Sequence, residues 1–244
     1  MQVHRWVARP SQYTLAPQSI HIWQVSLDPS QHRLEHLQEI LAEDEQARAQ
    51  RFRFDVDRER FIIARGCLRQ VLSGYVGVAP QALCFSYGSH GKPVLANPRA
   101  AQSLHFNVSH SHQVALYAIA SNWPVGIDVE HIHTVEWREL AKHVFSAKEQ
   151  LALQHITAPL QQEAFFKGWT RKEAFVKALG QGLSIPLDQF DVTLHPQEPA
   201  AILNITWNPE ETAQWQLIDV SPSADYCGAL AVCGQPQHLC FWKF

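Results

Sequence analysis

The five residues GIDVE at positions 126–130 alternate apolar and acidic side chains. In an extended strand, neighbours point to opposite faces, so Asp128 and Glu130 share one face while Ile127 and Val129 take the other. At a rise of ~3.3 Å per residue the two acidic stems stand ~7 Å apart, within reach of one shared cation. A solvated face of an edge strand would accept the same pair. The neighbouring sequence has to decide.

Downstream, EAFFKGWTRKEAFVKALG at 163–180 has helical periodicity. At 100° per residue, Phe165, Trp169, Val176 and Leu179 form the expected buried stripe, with Phe166 at its margin and Glu173 inside it. A carboxylate there is costly unless it is paired or bound to a metal. Lys177, one turn on, is the simplest partner. Lys172 and Arg171 are expected to be solvated. Three oxygen-donor acids (Asp128, Glu130 and Glu173), with no CxxC or HExxH motif, favour a hard cation such as Mg²⁺.

Mg²⁺ commonly serves phosphates, and cations are at hand. Arg48, Arg51, Arg53, Arg58, Arg60, Arg65 and Arg69 crowd one segment. Of these, Arg48, Arg51, Arg65 and Arg69, together with Lys92, are the candidate phosphate ligands. The histidine-rich stretches HFNVSHSH (105–112) and EHIHT (130–134) fit no closed zinc site. His110, expected at a hairpin turn, reads better as a phosphate donor.

Composition narrows the field. The chain has 244 residues and a net charge of −3, so no global charge favours nucleic acid or an anionic membrane. The longest apolar run, Val114–Ala120, is far short of the ~20 residues of a membrane span. Five cysteines without CxxC spacing read as free thiols in a reducing, cytoplasmic compartment.

Around these motifs the sequence predicts an α+β protein. IHIWQVSL begins it as a strand, followed by a helical stretch over 31–51 and a second helix in RFIIARGCLRQVLSGY, ended by Gly74 and Gly77. Strands follow in LCFSYG, PVLAN, SLHFNVSH and QVALYAIAS, with a turn at SHSH. Ser146 and Glu149 form a capping box in FSAKE, and a helix over 161–179 precedes closing strands in QFDVTL, AILNITW, WQLIDV, CGALAVC and LCFWKF. Gly74 and Pro80 recur as Gly180 and Pro186, each 106 residues on. The expected division is a lobe over 1–122 and a second over 123–244, similar in build and related by a pseudo-twofold.

GIDVE, FSAKE and WTRKEAFVKALGQGL together resemble the 4′-phosphopantetheinyl transferases of the Sfp type, whose signature pairs a GID-x-E strand with a W-x-x-K-E-[AS]-x-x-K helix. RFRFDVDRERFIIARGCLR, the GKP turn and FNVSHS extend the match over roughly 48–190. The resemblance implies transfer of the 4′-phosphopantetheine arm of coenzyme A to a serine of an apo acyl or peptidyl carrier protein, releasing adenosine 3′,5′-bisphosphate. It also implies a monomer with coenzyme A between two lobes. Asp128, Glu130 and Glu173 would hold Mg²⁺, and Lys177 would neutralise the leaving phosphate. Arg48 and His110, with Ser109 beside it, would meet the 3′-phosphate side. Lys92 and Pro93 would line the adenine pocket, and Arg51, Arg65 and Arg69 fall in the matched basic region. Glu173 is the expected base for the carrier serine.

Two departures stand out. Glu45 occupies a position where some members carry a basic residue, which shifts the phosphate site toward the later arginines. HIHTVEW, after GIDVE, has no Lys or Arg before Arg138. On the residues alone, a Mg²⁺-dependent nucleotide pyrophosphate hydrolase and a catalytically silent carrier-binding protein stay open.

Overall fold

The computed structural model describes residues 4–88, 91–96, 104–180, 182 and 185–244. Asn97 and Ser103, the ends of two expected strands, lie outside the described residues. The elements are β1 (Val7–Ala8), β2 (Ser19–Ser26), α1 (Leu34–Glu39), α2 (Glu43–Ala49), α3 (Asp55–Val76), β3 (Phe85–Tyr87), β4 (Pro93–Leu95), β5 (Leu104–Ser111), β6 (Val114–Ser121) and β7 (Val125–His131). They continue with α4 (Trp137–Val144), α5 (Ala147–His155), α6 (Ala158–Leu179), β8 (Phe190–Val192), β9 (Ile202–Ile205), β10 (Trp215–Asp219), β11 (Tyr226–Cys233) and β12 (His238–Lys243).

The main sheet runs β1-β12-β2-β6-β5 and a second runs β10-β11-β7. Strand alternation sets the layers. On β2 and β6, Trp23, Val25, Ala115, Tyr117 and Ile119 face the α3 side, packing with Ile63, Cys67 and Val71. Their alternates Ile20, Ile22, Leu116, Ala118 and Ala120 face the second sheet, meeting Ile127, Val129, Leu230 and Val232. The other face of the second sheet, with Cys227, Ala229 and Ala231, packs on Ala174 and Phe175 of α6. The order is therefore helix, sheet, sheet, helix.

Several expectations change. The helical stretch over 31–51 divides into α1 and α2, α4 joins the helices, and the hairpin turn is His112–Gln113, leaving His110 inside β5. Gly77, not Gly74, closes α3 in the left-handed conformation, at φ 72°, and Gly180 closes α6 at the same φ. The two 22-residue helices thus recur 103 residues apart rather than 106. β12 inserts between β1 and β2, parallel to both, so the C-terminal strand completes the sheet of the N-terminal half.

α6 is buried on nearly every side, not along one stripe. Lys172 and Arg171, expected in solvent, are 0% and 2% exposed. Lys172 Nζ reaches Glu149 at 2.8 Å and the carbonyls of Leu187 and Phe190 at 2.6 Å each. Arg171 donates to the carbonyl of Thr193. Buried cations survive where their donors find acceptors, as all three reaches of Lys172 Nζ do. The Ser146–Glu149 capping box forms as expected, and Glu149 also accepts from the Val192 amide.

Candidate active site

The edges of the two sheets meet at β5 and β7 through side chains. Asn107, Ser109 and Ser111 alternate along β5, and each accepts a backbone amide of β7: Ile127 N at 2.8 Å, Val129 N at 3.3 Å and His131 N at 3.1 Å. Edge amides of β7 are thereby satisfied without a ladder. The same serine hydroxyls donate to the two acids, Ser109 Oγ to Asp128 Oδ1 at 2.8 Å and Ser111 Oγ to Glu130 Oε2 at 2.8 Å.

Asp128 is 3% exposed, so the solvated edge face is excluded for it. α6 lies against this face of β7 because Gly126 lets it: a Cβ there would stand 2.0 Å from the Ala174 carbonyl oxygen. That contact brings Lys177 Nζ to 2.6 Å from Asp128 Oδ1 and 3.1 Å from Ser109 Oγ. Lys177 therefore pairs across elements with Asp128 rather than along the helix with Glu173. Burial and the Asp128 charge raise the carboxyl of Glu173 above its ordinary value, and the same two causes raise Glu130.

His110 and Ser109 open onto a cavity of about 210 Å³ that Arg48, Arg65 and Pro93 also line. It adjoins a larger one of about 680 Å³ with Arg48, Arg51, Arg65 and Tyr87 in its wall. His110 is exposed at the cavity mouth; desolvation by the surrounding chain first, and the charges of Lys177 and Arg48 after it, hold its imidazole below the ordinary value. A polyanion would find cations on two sides here, with the acids behind Ser109.

The profile described as "4'-phosphopantetheinyl transferase, N-terminal" matches residues 25–123, and "4'-phosphopantetheinyl transferase superfamily" matches 124–231. The 4'-phosphopantetheinyl transferase HetI of Nostoc sp. (strain PCC 7120) is 36% identical over 245 residues, covering 100% of both chains. The chain belongs to the 4′-phosphopantetheinyl transferase family. The transferase is also 32% identical to Sfp of Bacillus subtilis (strain 168) over 173 residues, 71% of this chain and 75% of that one. The solved holo-[acyl-carrier-protein] synthase (AcpS) of Thermotoga maritima overlays 46% of this chain and 63% of that one, at TM-score 0.38 and 22% identity.

Not every expected ligand of the transferase is free to meet a phosphate. Arg69 is 1% exposed, its Nε 2.6 Å from Glu45 and its Nη1 on the carbonyls of Pro80 and Leu83. It serves the fold. Arg65 is shared: Nε meets Glu45 at 2.5 Å and Nη2 meets the Tyr87 hydroxyl, while its side chain still lines the cavity. Glu45, 2% exposed, is thus the anchor of both arginines and draws them inward, against the expectation that the phosphate site would lean on them. Arg48 and Arg51 carry the open cationic wall. Lys92 lines neither cavity; its ammonium donates to the carbonyl of Lys177 at 2.6 Å.

Sequence reasoning passed over Asn107 and Ser111. Their signal was available as N-x-S-x-S, three small polar side chains on one face of a strand otherwise apolar enough to be buried.

Among the described residues, no three His, Cys, Asp or Glu side chains close on one metal position. The donors nonetheless suit a hard cation. Asp128 Oδ2 is buried with no hydrogen-bond partner among the described residues, an acceptor whose desolvation a cation would offset.

Proposed function

We propose that this transferase moves the 4′-phosphopantetheine arm of coenzyme A to a serine of an apo acyl or peptidyl carrier protein, with Mg²⁺, releasing adenosine 3′,5′-bisphosphate. The observation that carries the reading is the Lys177–Asp128–Ser109 cluster, whose Ser109 lines a cavity together with Arg48 and His110.

Arg48, Arg51 and His110 bind the 3′-phosphate side of coenzyme A, and Pro93 lines the adenine end. Asp128, Glu130 and Glu173 would hold the metal, which when bound would supply charge withdrawal at the pyrophosphate. The carrier serine hydroxyl attacks the phosphorus bearing the pantetheine arm. A new P–O bond forms to the serine as the bond to the leaving adenosine bisphosphate breaks. Glu173 takes the serine proton. Lys177, already beside Asp128, offers its ammonium to the charge gathering on the departing phosphate. The like build of α3 and α6, each closed by a left-handed glycine, supports the reading of two pseudo-twofold lobes, divided near residue 122. The thiols of Cys67 and Cys227, buried in the core, support a reducing, cytoplasmic setting, and the expected state is a monomer. No described helix is long and apolar enough to cross a membrane.

The test is chromatography of the nucleotide product, with and without apo acyl carrier protein. Adenosine 3′,5′-bisphosphate released only when carrier is present is the expected result. Steady cleavage of coenzyme A without carrier would replace transfer with hydrolysis.

A further inference from the structure

The last turn of an α-helix leaves four carbonyls without helical partners. In α6 the Val176 carbonyl accepts from Gly180 N at 3.1 Å. The next, that of Lys177, accepts from outside the helix: Lys92 Nζ, 2.6 Å away, which also lies 3.4 Å from the carbonyl of Val125 on β7. A cation at a helix C-terminus is favourable in itself, but this one arrives from the β3–β4 hairpin, 85 residues earlier. It does so against resistance. Burial first, and then the charge of Lys177, pull the Lys92 ammonium down to about 8. A lysine serving only its own hairpin would turn to solvent.

The carbonyl it holds belongs to the residue whose side chain meets Asp128 and Ser109. On the hairpin, the neighbours Gly91 and Pro93 line the cavity with Ser109 and His110. Lys92 thus joins the wall of that cavity to the backbone of Lys177.

We infer that Lys92 is a positioning residue for the transfer: its bond to the Lys177 carbonyl fixes the last turn of α6, and so holds the Lys177 ammonium at Asp128. The inference rests on the function proposed above. It departs from the adenine-lining role that the family resemblance implies for Lys92, and the two roles separate kinetically. A residue touching coenzyme A in ground and transition states alike changes KM; one that places a group acting on the leaving phosphate changes kcat.

The experiment is steady-state transfer to apo acyl carrier protein by wild type, K92M and K92R, with thermal unfolding followed by circular dichroism. Losing a bond worth ~1.4 kcal/mol at the transition state corresponds to about tenfold in rate. K92M is expected to lower kcat about tenfold or more while KM for coenzyme A moves less than about threefold. K92R, which can still donate to the carbonyl, is expected to keep most of kcat. A raised KM with unchanged kcat, or no change in either, overturns the inference. If K92M does not fold, K92Q, a neutral donor, is read by the same two constants. Absence of transfer by the wild type would instead overturn the functional reading.

Discussion

The hydroxyl of Ser109 donates to Oδ1 of Asp128 at 2.8 Å, across the line where the two sheets meet edge to edge. Ser109 Oγ also accepts from Val129 N and from Lys177 Nζ, so its one donor and two acceptor positions are all used. Ser109→Ala strips three contacts at once and leaves a buried amide without its acceptor. The expected cost is ~1–3 kcal/mol of stability, with a fall in kcat as Lys177 loses a support. Urea midpoints and transfer rates measured together check it; full rate at full stability would contradict it.

Arg48 and His110 are expected to recognise the 3′-phosphate. Replacing either by Ala should raise KM for coenzyme A by roughly 10- to 100-fold, the range for hydrogen bonds to a charged group. The penalty should vanish with 3′-dephospho-coenzyme A, which lacks the phosphate. An equal penalty on both substrates would move these residues to another part of the ligand.

Gly126 sits where β7 and α6 nearly touch. Gly126→Ala puts a methyl 2.0 Å from the Ala174 carbonyl oxygen and 2.3 Å from Ala178 N, and neither backbone atom can turn aside. Strand and helix must part, at a cost of several kcal/mol. The variant should be insoluble, or inactive with a thermal midpoint well below wild type. A wild-type midpoint would contradict the close approach of strand and helix at Gly126.

The buried Lys172–Glu149 pair bolts the FSAKE segment to α6. Removing one partner strands a buried charge, so Lys172→Met should cost ~3–5 kcal/mol. Lys172→Met combined with Glu149→Gln should cost less than the sum of the two single changes. A double-mutant cycle by urea unfolding measures the coupling.

His21 gives the fold an acid-sensitive point. Its Nδ1 shares a hydrogen bond of 2.7 Å with the Tyr75 hydroxyl, which accepts from Trp23 Nε1 at 2.9 Å, and the ring itself is 3% exposed. Burial lowers His21 from the ordinary 6.5 to about 4. Between those two values the unfolded chain binds the extra proton, so the contribution is complete above 6.5 and lost as pH falls toward 4. Wild type should lose on the order of 1 kcal/mol more than His21→Gln between pH 7.5 and 5. Parallel losses in urea would exclude this role.

The local parts of this architecture were legible in the sequence, and the long-range ones less so. GIDVE shows its two faces by alternation, and α6 shows its span by periodicity, because both signals are short-range. Lys172 and Arg171 read as solvated because charge normally signals exposure. Their acceptors lie 15 to 23 residues away, at Leu187, Glu149 and Thr193, where no helical period can point. The parallel insertion of β12 beside β2 joins residues more than 200 positions apart, and nothing in either strand names the other. In the site, the acids and Arg48 were read from residue type and motif. The Glu45 clasp on Arg65 and Arg69 was not, because an acid among arginines looks the same whether it is solvated or buried.

The most direct test of the account is the intact mass of an apo acyl carrier protein after incubation with this transferase, coenzyme A and Mg²⁺. The expected result is a gain of one phosphopantetheine arm on the carrier serine, abolished by EDTA and by Asp128→Ala. An unchanged carrier mass across several apo acyl and peptidyl carriers, with the transferase folded and coenzyme A in excess, would contradict it.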